Sequence, residues 1–114
     1  MKFSESLKKN DQFREVYKNG RSLANKYLVS YVLENNLEIN RLVISVSKKV
    51  GNSVVRHHLA RLVRESYRLH EDMFNSGLDI VVVARKSAAS ISYHDMESAL
   101  LHLFRLHKIT KKSL

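Results

Sequence analysis

Apolar residues first fall into a helical rhythm in "NDQFREVYKNG", residues 10–20, where Phe13, Val16 and Tyr17 recur at i, i+3, i+4. Asn10 or Asp11 can cap this turn of chain and Gly20 suits its exit, which predicts a helix of two to three turns. The period then shortens to two. "KYLVSYVL", residues 26–33, alternates β-formers, and "RLVISVSK", residues 41–48, places Leu42, Ile44 and Val46 on one face. With the polar "ENNLEIN" between them, the two runs read as an antiparallel pair. A longer helix opens at Asn52 or Ser53 and ends before Gly77, followed by "DIVVVAR", residues 79–85, whose unbroken apolar run suits a central strand covered on both faces. The chain closes on "SISYHDMESALLHLFRLHK". Ser92 and Asp95 stand as a capping-box variant, Ile91 can staple onto Met96, and Met96, Ala99, Leu100, Leu103 and Phe104 make one packed stripe. The order helix, two or three strands, helix, strand, helix defines an α+β fold with helices against a small sheet.

Composition sharpens this picture. At 114 residues the chain has the length of a single domain, 1–114, and its 44% hydrophobic content supports a packed core instead of a disordered basic tail. There is no proline and only three glycines, at 20, 51 and 77, so no flexible linker divides it. The absence of cysteine excludes disulfides, thiolate metal ligands and cysteine nucleophiles. "MKFSESLKKNDQF" lacks the apolar core of a signal peptide, and no apolar run reaches membrane-spanning length, so a cytoplasmic protein without a membrane partner is expected. Charge is the anomaly. Lys and Arg number 20 against 11 Asp and Glu, a net charge of +9, which calls for an anionic partner.

The charge concentrates on the second helix. With Val54 at zero and 100° per residue, Leu69, Leu62, Val55, Leu59 and Val63 fall between about 60° and 180° and form the expected buried face. Arg64, His57, Arg68 and Arg61 fall between about 280° and 340°, with no acid among them, while Glu65 and Arg56 flank this stripe. A solvated helix normally interleaves acids at i, i+4, so an uncompensated stripe suggests a ligand. Lys48 and Lys49 lead into Gly51-Asn52-Ser53, adding two ammonium groups at the positive end of the helix. Arginine forks match phosphate oxygens bidentately. These residues indicate a binder of nucleic-acid backbone.

"SKKVGNSVVRHHLARLVRE" also resembles the signature of a known family, the protein subunit of bacterial ribonuclease P, in which lysines and Gly-Asn lead into an Arg-Asn-Arg stretch, an aliphatic residue, Lys-Arg and another basic residue. The resemblance spans nearly the whole chain: "LKKNDQFREVYKNGRSLANKYLVSY" is similar to the family's first helix and strand, and "DIVVVARKSAASISYHDMESALLHLFR" to its last strand and helix. It implies an αβββαβα two-layer sandwich of the ribosomal-protein-S5 second-domain type with a left-handed βαβ crossover. It also implies a division of labour. A large RNA subunit removes the 5′ leader of precursor tRNA using Mg²⁺, bound mainly by that RNA, while the small protein binds RNA and leader and supplies no catalytic side chain. By the same resemblance Lys48, Lys49, Asn52, Arg56, His57, His58, Arg61, Arg64 and Arg68 would meet ribonuclease P RNA, and Phe13, Tyr17 and Tyr31 would line a cleft for the leader. Aromatic rings suit that task, since stacking on them tolerates any base.

The chain departs from the signature at His58, where a second arginine is usual, at Ala60, where lysine is common, and more mildly at His57. Two permanent charges are missing, and free histidine is mostly neutral at pH 7 although phosphates favour its protonated form. RNA binding is therefore expected to be weaker and more pH-sensitive than with the full motif. A combined His57→Asn, His58→Arg, Ala60→Lys variant that left affinity and its pH dependence unchanged would refute this.

Other functions fit less well. The six histidines include no pair at the i, i+4 spacing of a helical zinc site, and His57 and His58 diverge by about 100°. Glu71-Asp72 and Asp95-Glu97 lack the companion carboxylates of a protein-only Mg²⁺ nuclease, so no metal site on the protein is expected. Nothing spaces a recognition helix for reading DNA, and the basic helix needs its apolar face for the core, not a membrane. The alternative that remains is a non-enzymatic RNA-binding module, ribosomal or assembly-related, of the same fold. It would not distinguish precursor from mature tRNA.

Overall fold

The computed structural model describes residues 4–6 and 10–110, with side chains from residue 11 onward. The strands are β1 (Ser4–Ser6), β2 (Arg21–Ala24), β3 (Leu28–Glu34), β4 (Asn40–Ser45) and β5 (Leu78–Ala84). The helices are α1 (Asn10–Asn19), α2 (Ser53–His70) and α3 (Tyr93–Leu106), with short 3-10 turns at Glu71–Met73 and Lys86–Ala88. The five strands form one mixed sheet in the order β1-β4-β5-β3-β2.

The expected pairing of β3 with β4 does not occur. β5 lies between them, antiparallel to β3 and parallel to β4, in the register Val32↔Ile80 and Leu42↔Ile80. The composition of β5 explains this. Six of its seven residues are buried, and so apolar a strand gains most at the centre of the sheet with both edges paired. Parallel β4 and β5 need a crossover, which α2 provides. β1, parallel to β4 at the sheet edge, is an addition to the expected order; its sequence Ser-Glu-Ser carries no apolar alternation to announce it.

The two sheet faces are unequally covered. Even-numbered residues of β3, β4 and β5, among them Leu28, Val32, Leu42, Ile80, Val82 and Ala84, point into the main core beneath α2 and α3. Tyr67, Phe74 and Phe104 meet there with ring centroids 4.7–6.3 Å apart. The predicted α3 stripe is buried in full, and Ser92 caps that helix by accepting from the Asp95 N–H at 3.1 Å. Sheet and α2/α3 pair are the two principal layers. Among the described residues the opposite face carries α1 alone, anchored by Val16 on Val81.

Buried polar side chains tie these elements together. Asn40 accepts from the Leu78 N–H at 2.9 Å and donates to the Asn75 carbonyl at 2.9 Å, fixing the start of β4 to the approach of β5. Ser30 and His107 hydrogen-bond at 2.6 Å inside the core, where burial first, and then the charge of Arg21, push the imidazole pKa down. Gly77 adopts φ 79° in the turn before β5, a conformation costly for any side chain. No helix among the described residues is long and apolar enough to cross a membrane.

Candidate nucleic-acid interface

α2 starts where the sequence places it. Asn52 is its N-cap, accepting from the Val55 N–H at 3.0 Å, and the preceding turn closes through Val50 N–H on the Ser47 carbonyl at 3.1 Å. Val50 is buried, which pins the loop and leaves the preceding Lys48 and Lys49 exposed. An added Cβ on Gly51 would press on the Val55 side chain at 2.8 Å, so this close approach requires glycine.

The helix is turned from its expected orientation. Leu59, Val63, Ser66 and Tyr67 are its buried residues, with Val55 and Leu62 partly covered. Leu69, expected in the buried face, is 55% exposed. Burying the Tyr67 ring between Phe74 and Phe104 rotates the inward face away from Leu69. Outward stand His57, His58, Arg61, Arg64 and Arg68, all exposed, while Arg56 is half-buried on the flank.

The stripe is not uncompensated. Glu65 receives both forks of Arg68, at 2.5 and 3.4 Å, and that hydrogen bond foremost holds its carboxyl below the usual range. An i, i+3 pair lies within reach although the two residues sit about 60° apart on the wheel. Arg61 and Arg64 have no ion pair among the described residues. At the helix start, Ser53, Val54, His57, His58 and Arg61 line a shallow concavity of about 440 Å³.

The three candidate cleft aromatics come together on the other side of the sheet. Phe13 and Tyr17 of α1 meet at 4.6 Å between ring centroids, and Tyr17 meets Tyr31 of β3 at 4.6 Å, edge-on. Phe13 and Tyr31 are half-buried and Tyr17 is 38% exposed. Burial, followed by the neighbouring Tyr31, raises the Tyr17 pKa, so its hydroxyl stays protonated at neutral pH. Leu33, Val43 and Val83 continue this surface as a half-buried floor. These residues escaped the sequence reading because they look like ordinary strand core. The signal was their parity, opposite to Leu42, Ile44 and the buried half of β3. Arg41 and Asp79 close one end of the floor with a bidentate pair at 2.7 Å, to which Asn35 adds a hydrogen bond at 2.9 Å.

The cationic helix and the aromatic floor therefore occupy opposite faces of one sheet. No group of three His, Asp or Glu side chains among the described residues is placed to hold a metal ion. The nearest polar cluster of that kind, His70 and Tyr93 on Glu97 at 3.0 and 3.2 Å, joins α2 to α3 and lowers the Glu97 pKa through the His70 contact foremost.

Known proteins share this fold. The family model described as Ribonuclease P matches residues 1–108. The chain is 64% identical over 110 residues to the ribonuclease P protein component of Lachnoclostridium phytofermentans, covering 96% of this chain and 95% of that one. The counterpart from Alkaliphilus metalliredigens is 52% identical, with 96% and 98% covered. Among solved structures, the RNase P protein of Staphylococcus aureus superposes with a TM-score of 0.86 at 34% identity, covering 96% of this chain and 98% of that one. The protein from Thermotoga maritima gives 0.82 at 31% identity, with 89% and 96% covered.

Proposed function

From the chain's place in the ribonuclease P protein family, to which it belongs, we propose a two-sided role in the endoribonuclease that matures tRNA 5′ ends. The exposed side of α2 and the Lys48-Lys49 turn dock on ribonuclease P RNA, and the aromatic floor receives the 5′ leader of precursor tRNA. The RNA subunit performs the cut. One observation carries this reading: a cationic helix and a continuous aromatic surface lie on opposite faces of a single sheet, so one chain can hold two nucleic-acid strands at once.

The chemistry of each side suits its strand. Arg61, Arg64 and the two lysines offer charge to a phosphate backbone without regard to sequence, and Asn52 orders the helix start that presents them. Phe13, Tyr17 and Tyr31 offer ring faces and edges to unpaired bases, which suits leaders of many sequences. Mg²⁺ supplies the charge neutralisation and activated water of phosphodiester cleavage. In this reading the chain's part is to bind and orient, and the ion is held mainly by the RNA. A role on tRNA precursors suits a cytoplasmic protein.

The test is cleavage of a precursor tRNA by bacterial ribonuclease P RNA at low Mg²⁺, with and without the protein, using RNAs of both structural classes. Protein-dependent cutting at the mature 5′ end, with none by the protein alone, is expected. Tight RNA binding without stimulation would favour the generic RNA-binding module instead.

A further inference from the structure

We propose that Val54, His57, His58 and Arg61 form a slot for one unpaired base of the RNA on which α2 docks; the proposal rests on the docking reading above. These residues stand at i, i+3, i+4 and i+7, the four corners of a diamond on one helix face, which is the geometry of a hole that accepts a knob. They line the 440 Å³ concavity together with Ser53.

Its chemistry is wrong for a phosphate alone. Val54, at one corner, is 75% exposed, an apolar surface left uncovered on a helix whose other valines are buried or partly covered. A phosphate oxygen gains nothing from that surface, whereas the flat apolar face of a base does. The two imidazoles are aromatic, and their rings offer stacking in either protonation state. Arg61 has no ion pair among the described residues and supplies a planar guanidinium that can stack on the base or hold its phosphate. A protein side chain could also fill such a hole. The surroundings favour RNA, since Lys48 and Lys49 in the turn before the helix and Arg64 further along it are exposed, and no acidic residue lines the concavity. The histidines that replace Asn-Arg in the family signature thus exchange permanent charge for ring surface.

Two double variants separate ring from charge. His57→Phe with His58→Phe keeps the rings, and His57→Lys with His58→Lys keeps only charge; both positions are solvent-facing, so circular dichroism serves as the check that each folds. Each is measured for affinity to ribonuclease P RNA across salt, and for protection of unpaired bases from base-specific chemical modification. The wild type is expected to protect one unpaired base, the Phe variant to keep that protection, and the Lys variant to lose it while its salt dependence steepens by about two counterions. Binding by the Lys variant with the same base protected, or RNA binding by the wild type with no base protected, would overturn the slot and leave docking intact. Failure of the wild type to bind the RNA at all would overturn both.

Discussion

The two faces of the sheet use similar residues to opposite ends. Beneath α2 and α3, aromatic rings are sealed: Tyr67 and Phe104 have no exposed surface. On the α1 side, Phe13, Tyr17 and Tyr31 pack ring to ring at 4.6 Å, at least as closely as the core rings, but remain half-covered, because a ten-residue helix cannot roof five strands. Aromatic content alone does not separate a core from a binding surface. The number of layers above it does.

The contrast can be pressed hardest by truncating one ring on each side. Phe104→Ala should cost about 3–5 kcal/mol of stability through the cavity it opens. Tyr17→Ala should cost far less in urea unfolding, yet weaken binding of leader-bearing tRNA by about 1–3 kcal/mol. If Tyr17→Ala unfolds the protein as readily as Phe104→Ala, the open face is core after all.

A second difference lies in pH. The closed face holds His107, whose folded-state pKa is lowered by burial foremost, and the open face holds no buried histidine among the described residues. Above about pH 6.5 neither state of the chain protonates this ring; as pH falls through that value the unfolded state takes up a proton that the folded state resists. Stability should therefore fall from about pH 6.5 downward until the folded value is reached. Urea midpoints measured at intervals between pH 7.5 and 5 would show this, on the order of that window. His107→Asn should flatten the slope whatever its overall stability, and an unchanged slope would remove His107 as its source.

The smallest effect sharpens the docking side. Glu65 occupies Arg68 in the free protein, so Glu65→Gln should release that guanidinium to RNA and steepen the salt dependence of binding by about one counterion. The same change in an Arg68→Ala background should do nothing. Equal effects in both backgrounds would mean that Glu65 acts by general charge and not by masking its neighbour.

How much was legible beforehand differed between these regions. The α3 stripe, the start of α2 at Asn52 or Ser53 and the central place of β5 follow from local periodicity and composition, and all three stand. Strand order does not follow. Val32 and Ile80 are 48 residues apart in sequence, and nothing local tells β3 to reject the neighbouring β4 for a strand beyond a helix. A helical wheel could find the basic stripe of α2 but not its rotation, which the volume of Tyr67 sets and which leaves Leu69 outside. It also treated Glu65 as a bystander, since angles ignore the reach of a long arginine. Spacing placed Phe13 and Tyr17 on one helix face; only the fold brings Tyr31 to them. The roles assigned to both surfaces came from the family resemblance, not from spacing.

The most direct measurement compares the affinity of the assembled ribonuclease P holoenzyme for precursor and mature tRNA at low Mg²⁺, with wild-type protein and with Tyr17→Ala. The account predicts that wild type favours the precursor and that Tyr17→Ala erodes this preference while RNA-subunit affinity stays unchanged. A preference that survives Tyr17→Ala intact, or one that was never present in the wild type, would contradict it.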